Sequence, residues 1–282
     1  MIPHYILRRE VAALEHELNA DLENISMWCK SNKMATNTAK THSMLVTTWQ
    51  KRIHLEKKDM DVHYEGNTLQ NSEAEKVLGV TIDQHLNWNQ HVFTVHSKVS
   101  QALYVFRKIK SHLPYRYRIM FYNAFIQPHF DYCSIVWSTT SGFNMNRLLK
   151  LQKRAARLIL ECPWRTRSEN MFKQLKWMPL ADRIEFRKMT MVYKAKHQLC
   201  PAYITDMFQE VNAVHSRTTR NAVQRNMYPI TFAKLEALNK TFKHASTRSW
   251  NMLPTYIREA PSVHSFKKLY CDNYFSNRQI TE

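Results

Sequence analysis

The scarcity of glycine constrains the fold of this chain more than any other feature of its sequence. The 282 residues contain only three glycines, Gly66, Gly79 and Gly142, against a usual frequency of about 7%. Sheet-rich folds use glycine in many of their tight turns, and phosphate-binding loops need several glycines close together. The sequence therefore disfavours a sheet-rich fold, excludes a glycine-rich phosphate loop and favours a mostly helical protein.

The spacing of apolar residues predicts helices over most of the chain. Apolar residues recur at three- and four-residue steps in residues 5–31, and again almost continuously from Trp88 onward. Prolines separate the later helices, and Pro128 is expected to break one of them. The predicted helices cover residues 5–31, 92–109, 115–126, 144–161, 168–177 and 179–198.

A short part of the chain has β character. Glu65-Gly66-Asn67 is typical of a hairpin turn, whereas residues 211–231 are polar, lack periodicity and predict a mobile loop. The predicted strands cover residues 44–46, 53–55, 62–64 and 77–82. The sequence thus predicts an α+β fold that is predominantly α-helical, and 282 residues suffice for two packed units.

The charge of the chain favours a polyanionic partner. Lysine and arginine number 41 against 23 acidic residues, which gives a net charge of +18, and an apolar content of 44% is typical of a globular protein. Nucleic acid is the first candidate partner and an anionic membrane surface the second. A protein that is basic without any polyanionic partner is the remaining alternative.

Cysteine, histidine and aspartate patterns indicate neither a metal site nor a known catalytic motif. The five cysteines are scattered without C-x-x-C spacing, which disfavours zinc and a disulfide framework and is typical of free thiols in a reducing compartment. Asp59 and Asp61 could bind a metal, but a charged turn explains them better.

The first residues lack the apolar core of a signal peptide, and no apolar run is long enough to span a membrane. We therefore expect a soluble intracellular protein with no membrane partner.

One predicted helix, over residues 144–161, carries a row of cations. These are Arg147, Lys150, Arg154 and Arg157, which follow the i, i+3, i+7, i+10 spacing of a single helix face. The expected apolar face comprises Leu148, Leu151, Ala155, Leu158 and Ile159. Such a row suits a phosphate backbone, because each contact releases condensed counterions. A solvated face of an ordinary amphipathic helix is the alternative.

Two ordered patterns occur in the first hundred residues. One comprises Leu18-Asn19, Asp21-Leu22, Ile25, Trp28, Asn32-Lys33, Asn37 and Lys40-Thr41; the other comprises Val77-Leu78-Gly79-Val80-Thr81-Ile82-Asp83 with Trp88 and His91. Together they resemble the end of the palm of reverse transcriptases from non-LTR (LINE-type) retrotransposons. Further matches lie at residues 132–137, 152–159, 250–254 and 266–267. The resemblance therefore extends from about Leu14 to Phe275.

The resemblance implies a division into three regions and a role for several residues. The regions are a palm remnant (1–83), a helical thumb (84–165) and a C-terminal helical region (166–282). Lys33 and Lys40 would lie near the triphosphate of an incoming nucleotide, and Gly79 would belong to the strand-turn element that holds the primer terminus. As residues alone, the two lysines are simply cations near the end of a helix, where they complement its dipole.

The resemblance also implies a reaction whose central residues this sequence lacks. The family synthesises DNA on RNA by phosphoryl transfer with two divalent ions, expected to be magnesium. The paired aspartates that bind these ions in the family lie upstream of the point where this chain starts, and no Asp-Asp pair occurs in its 282 residues. We therefore expect a polymerase fragment with no catalytic residue, metal or other cofactor of its own.

The expected partner is RNA–DNA template–primer nucleic acid, bound without sequence preference, without polymerisation and with no small-molecule substrate. The family acts on chromosomal DNA, so the nucleus is the expected location by analogy. Two alternatives remain. The first is a non-enzymatic interaction protein that self-associates through exposed apolar surface, and the second is a truncated open reading frame without a function.

Overall fold

The computed structural model is mainly helical and has only short strands. It describes residues 11–55, 59–208, 227–230, 239 and 241–277. The expectation of a predominantly helical α+β fold is confirmed. The chain divides into two compact units, Met1–His91 and Val92–Glu282. Most of the predicted loop at 211–231 lies outside the described residues.

The first unit combines one long helix with small two-stranded sheets. Its elements are α1 (Val11–Ser31), a 3-10 turn (Thr38–Lys40), β1 (His42–Ser43), α2 (Trp49–Ile53), β2 (His63–Tyr64), β3 (Asn67–Thr68), β4 (Gln70–Asn71), β5 (Ala74–Val77) and β6 (Val80–Asp83). Strand β1 pairs in parallel with β4, whereas β2–β3 and β5–β6 are antiparallel hairpins. The buried core comprises Val11, Leu45, Met60, Val62, Tyr64 and Leu69.

Two of the predicted strands in this unit are wrong. Ile53 is the last residue of helix α2, and His54 and Leu55 follow it. A helix forms here because the Thr48 hydroxyl caps its start by accepting a hydrogen bond from the Lys51 N–H at 3.3 Å. Residues 44–46 form no strand, and β1 precedes them. The predicted hairpin turn is confirmed: Glu65 and Gly66 have φ values of 49° and 78°, as a two-residue turn with left-handed backbone requires.

Residues 77–82, predicted as one strand, form a hairpin. Val77 of β5 pairs with Val80 of β6, and Leu78 and Gly79 make the two-residue turn with φ values of 47° and 85°. This backbone is natural for glycine and strained for leucine. The strand prediction failed because an apolar leucine occupies a turn position that glycine, asparagine or aspartate normally takes.

The segment after this hairpin is held by a single carboxylate. Asp83 accepts hydrogen bonds from the backbone N–H groups of His85 (3.1 Å), Asn87 (3.0 Å) and Trp88 (2.7 Å). The Thr81 N–H lies 3.4 Å from Nδ1 of His91, which is buried like Trp88. The second ordered pattern of the sequence thus builds one local structure.

The later elements are helices. They are α3 (Asn89–Ile109) with a 3-10 turn (Lys110–His112), α4 (Tyr115–Phe121), a π-helical turn (Tyr122–Ile126), α5 (Gln127–Asp131), α6 (Ser134–Trp137), α7 (Gly142–Leu160), α8 (Ser168–Leu175), α9 (Leu180–Lys196), α10 (Ala202–Thr205), α11 (Phe242–Met252), α12 (Thr255–Arg258) and α13 (Val263–Asn277). Helix α9 packs against α7, α11 and α13. A cluster around Val192, Tyr193, Trp250 and Phe266 forms part of the core.

The predicted break at Pro128 is wrong. The chain stays helical from Tyr115 to Asp131, because a π-helical turn directly precedes the first turn of α5, where Pro128 lies. Proline lacks the N–H for a regular helical bond, and the first turn of a helix tolerates that loss. The π turn changes the hydrogen-bond register at this point, so the helix continues.

An ion pair joins α5 to α9. Arg183 donates from Nε and Nη2 to the two carboxylate oxygens of Asp131 at 2.8 and 2.7 Å. Gln127 donates from Nε2 to Oδ2 of the same carboxylate at 3.1 Å, and Nη1 of Arg187 lies 3.6 Å from that oxygen. Burial alone would raise the pKa of the Asp131 carboxyl. The hydrogen bonds and charge of Arg183, with Gln127 and Arg187, outweigh that effect and hold the pKa below its ordinary value.

Replacing Asp131 by asparagine is expected to destabilise the protein by about 2 kcal/mol at pH 7, because Arg183 and Arg187 lose the negative charge that they pair with and Arg183 keeps only one of its two acceptor oxygens. The folded-state pKa lies below the unfolded value of about 3.9, so the stabilisation is present above that value and is lost as the pH falls through the folded-state pKa. Urea unfolding should therefore show that Asp131→Asn lowers the free energy of unfolding by less at pH 3 than at pH 7. Asp272→Asn, at an exposed site, is the control. An equal loss of unfolding free energy at pH 7 and pH 3 would contradict this role of the Asp131 carboxylate.

Candidate nucleic-acid interface

Helix α7 has one face that is almost completely buried. It begins after Ser141, whose hydroxyl accepts a hydrogen bond from the Asn144 N–H at 3.3 Å, and it packs against α4, α8 and α9. Five of its apolar residues are at most 1% exposed: Leu148, Leu151, Ala155, Ala156 and Ile159. The predicted cations must therefore occupy the remaining surface of the helix.

The four cations of α7 differ in their surroundings. Lys150 and Arg154 are exposed, whereas Arg147 and Arg157 are half-buried. The Arg147 guanidinium carbon lies 5.9 Å from the ring centre of Phe143, which is the distance of a cation–π contact. We call Arg147, Lys150 and Arg154 the basic ridge.

Arg157 has a structural task in addition to its charge. Its Nη1 and Nη2 lie 3.5 Å from the carbonyl oxygens of Lys153 and Thr166, so the side chain links α7 to the loop that follows it. Leu158 was predicted to lie on the buried face, but it is half-buried and lies beside the cations. The reason is helical geometry, because Leu158 is four residues from Arg154 and therefore shares its side of the helix.

A groove of about 640 Å³ lies between α3 and α7. Its lining residues are Ser100, Leu103, Tyr104 and Arg107 from α3, Arg154, Arg157 and Leu158 from α7, and Trp164 from the loop after α7. Among these described residues there are three arginines, two aromatic side chains and no carboxylate. The groove is therefore positively charged over an apolar floor, a combination that suits a polyanion with flat apolar groups.

The two aromatic side chains of the groove are unusually exposed. Tyr104 is 65% exposed and Trp164 is 76% exposed. Lys108 Nζ lies 5.7 Å from the ring centre of Tyr104, and the Arg165 guanidinium carbon lies 5.2 Å from that of Trp164. Each aromatic ring is thus paired with a cation at the surface.

Sequence patterns did not predict Tyr104, Arg107 and Trp164 as residues of the site. Tyr104 and Arg107 are both exposed and lie three residues apart on α3, and this spacing could have indicated a polar face. Trp164 lies between a proline and an arginine, which indicates an exposed loop residue. No local pattern indicates that the three residues share one groove, because that depends on how α3 and α7 pack.

The cations of α7 also affect a histidine on α3. Burial lowers the pKa of His96 first, and the positive charges of Arg147 and Arg154 lower it further. The shift therefore reflects the positive charge that Arg147 and Arg154 of α7 place near His96. No carboxylate contributes to the shift.

The predicted site residues of the first unit have separate positions. Lys33 lies two residues beyond the end of α1 and has a left-handed backbone (φ 54°), and its N–H donates to the Lys30 carbonyl at 3.0 Å. Lys40 ends the 3-10 turn, and Gly79 lies in the turn of the β5–β6 hairpin. All three are exposed.

The described residues do not fit the two-metal site that the family implies. Over the described ranges, no group of three or more histidine, cysteine, aspartate or glutamate side chains is arranged to hold a metal ion. Asp59 lies 3.8 Å from the Arg52 guanidinium, and Asp61 lies 3.2 Å from Nε2 of His63. Each carboxylate therefore has a basic neighbour, Arg52 from α2 for Asp59 and His63 from β2 for Asp61.

Comparison with known proteins relates the chain to transposon polymerases. The probable RNA-directed DNA polymerase from transposon X-element of Drosophila melanogaster is 24% identical over 162 residues, which is 56% of this chain and 17% of that protein. The probable RNA-directed DNA polymerase from transposon BS of Drosophila melanogaster is 25% identical over 166 residues, which is 58% of this chain and 18% of that protein. The RNA-directed DNA polymerase from mobile element jockey of Drosophila melanogaster is 23% identical over 128 residues, which is 44% of this chain and 14% of that protein. The chain is related to transposon reverse transcriptases.

This relationship to reverse transcriptases confirms the resemblance seen in the ordered sequence patterns. The chain spans less than a fifth of the length of each of these relatives. No family model and no solved structure matches it. Within the described residues, none of the helices combines the length and apolar character that a membrane span requires.

Removing the ridge arginines should raise the pKa of His96. Substituting Arg147 and Arg154 by glutamine removes two positive charges that disfavour the imidazolium, so the pKa should rise toward its ordinary value while the effect of burial remains. An NMR titration, with His96→Gln to assign the signal, measures this shift. Lys150→Gln is the matched control, and an unchanged pKa in the double variant would contradict the geometry.

Proposed function

We propose that this chain is the part of an RNA-directed DNA polymerase that grips template–primer nucleic acid, and that it does not polymerise DNA by itself. The observation that supports this is the basic ridge beside a groove with arginines and exposed aromatic rings, in a chain related to transposon reverse transcriptases. Both features are formed by α3, α7 and the loop that follows α7. Nucleic acid is the ligand whose charge and shape match them.

The ridge suits a phosphate backbone and carries no base-reading feature. Arg147, Lys150 and Arg154 extend along about two turns of α7 on one side. Phosphates succeed one another along a strand, so several can be contacted together, and each contact releases counterions. Such binding is independent of sequence.

The first unit would supply positioning residues if the chain acts within a larger polymerase. In that setting Gly79 and the exposed turn of the β5–β6 hairpin would hold the primer terminus. Lys33 and Lys40 would place positive charge near the triphosphate of the incoming nucleotide, where charge develops on the leaving pyrophosphate. The divalent ions, magnesium by the chemistry of the family, would be held by carboxylates outside this sequence. Action on chromosomal DNA would place such a polymerase in the nucleus.

A second candidate function is protein interaction or self-association. It rests on large apolar side chains that are exposed in the first unit, namely Met27 and Trp28 at 60% each and Trp49 at 62%. Exposed apolar surface of this kind is typical of interfaces when it is contiguous. Concentration-dependent sedimentation that Trp28→Ala abolishes would support it.

Neutralising the basic ridge should weaken binding of an RNA–DNA hybrid and make it less sensitive to salt. The variant carries Arg147→Gln, Lys150→Gln and Arg154→Gln. Because this variant has no ridge cation to pair with a phosphate, the slope of log K against log salt should fall by about 2 to 3, and the affinity at low salt by at least about tenfold. Fluorescence anisotropy of a labelled hybrid across a salt series measures both quantities.

The control removes the same charge elsewhere. Lys243, Lys267 and Lys268 are exposed on α11 and α13, and their glutamine variants should retain most of the affinity and the salt slope. Equal losses in both triple variants would mean that only net charge matters. No binding of the unmodified chain at low salt would overturn the proposed function.

The purified chain should not extend a primer. A labelled DNA primer on an RNA template, with nucleoside triphosphates and Mg²⁺, should remain at its original length, because the sequence has no Asp-Asp pair to bind the ions. A full-length transposon reverse transcriptase is the positive control. Extension that a chelator abolishes would contradict the expectation.

A further inference from the structure

We infer that the groove between α3 and α7 binds an unpaired segment of nucleic acid, with bases stacked on Trp164 and Tyr104. This inference rests on the proposed function and deepens it, because it names a single strand as the ligand of one site. The ridge alone suffices for a duplex, whose outer surface is its phosphate backbone. The aromatic residues of the groove need a different explanation.

The exposure of the two rings points to a stacking ligand. Trp164 and Tyr104 are 76% and 65% exposed, although both line a groove in which they could have packed on Leu103 or Leu158. The faces of paired bases are covered by their neighbours in a duplex, so only unpaired bases can stack on a protein ring. Lys108 and Arg165 each lie over one ring at 5.7 and 5.2 Å, and a cation on one face leaves the opposite face for a base.

The arginines of the groove supply the charge that a strand requires. Arg107 from α3 and Arg154 from α7 line the same groove from two helices, so phosphates on either side of a stacked base would each meet a cation. A groove of about 640 Å³ falls within the range of about 300–1,000 Å³ that holds small ligands. It therefore has room for a short piece of strand.

Arg157 acts here as a positioning residue. Its guanidinium lies 3.5 Å from the carbonyl oxygen of Thr166, in the loop that carries Trp164. The cation thereby holds the loop against α7, in the position where Trp164 lines the groove. Of the two α7 arginines that line the groove, Arg154 is exposed and is therefore the one available to a phosphate.

The test compares single strands with a duplex that has no unpaired ends. The probes are labelled oligodeoxyuridylate and oligouridylate of about twelve nucleotides, which share one base and differ in the sugar, and a blunt-ended RNA–DNA hybrid. Trp164→Ala should weaken single-strand binding by roughly tenfold, the factor typical of removing one base–aromatic stack, and should change hybrid binding by less than about twofold. Tyr104→Ala should act in the same direction, and Trp164→Phe should retain most of the affinity.

Trp49→Ala is the control, because Trp49 is also largely exposed (62%) and belongs to the first unit. When Trp164→Ala and Tyr104→Ala weaken single-strand binding, the inference is supported. Tighter binding of oligouridylate than of oligodeoxyuridylate would then identify RNA as the source of the strand, and equal binding would show that the sugar is not read. Unchanged single-strand binding in Trp164→Ala and Tyr104→Ala overturns the inference. If the ridge variant still weakens hybrid binding in that case, the proposed function stands alone; if no probe binds at low salt, both fail.

Discussion

Burial of one face of α7 is the constraint on which the candidate interface depends. Leu148, Leu151 and Ile159 are at most 1% exposed, and burying each such side chain contributes about 1.5–3 kcal/mol. Gln152 adds a buried hydrogen bond to the Met178 carbonyl at 3.0 Å, which links α7 to the segment before α9. Rotating the helix would expose this face at a cost far above that of any surface ion pair. The cations are therefore held on the opposite side by packing.

The groove also depends on a polar link between the ends of α3 and α7. Arg118 of α4 donates from Nε to the Leu113 carbonyl at 2.7 Å and pairs with Glu161, at the end of α7, at 2.7 Å. Lys110, just after α3, lies 3.5 Å from the same carboxylate. The ends of the two helices are thus joined through one arginine and one glutamate. Packing of α7 and this polar link together set the distance between the two walls of the groove.

Local patterns predicted most of the helices, but they missed unusual local backbone conformations and could not show which distant residues meet. Helix α7 and its cations followed from three- and four-residue spacing, because burial of one face imposes that period. The hairpin at Leu78-Gly79 was missed because leucine rarely takes a left-handed turn position, and the helix through Pro128 because a π turn precedes it. The groove was beyond prediction, since Tyr104 and Trp164 come from elements that only tertiary packing brings together.

The most direct test of this account is to map which side chains nucleic acid protects in the intact chain. Lysine- and arginine-selective labelling, read by mass spectrometry with and without an RNA–DNA primer hybrid, gives the extent of modification at each basic residue. The account predicts strong protection of Arg147, Lys150 and Arg154 and little change at Lys267 and Lys268. Protection spread evenly over the basic residues, or confined to sites away from α7, would contradict it.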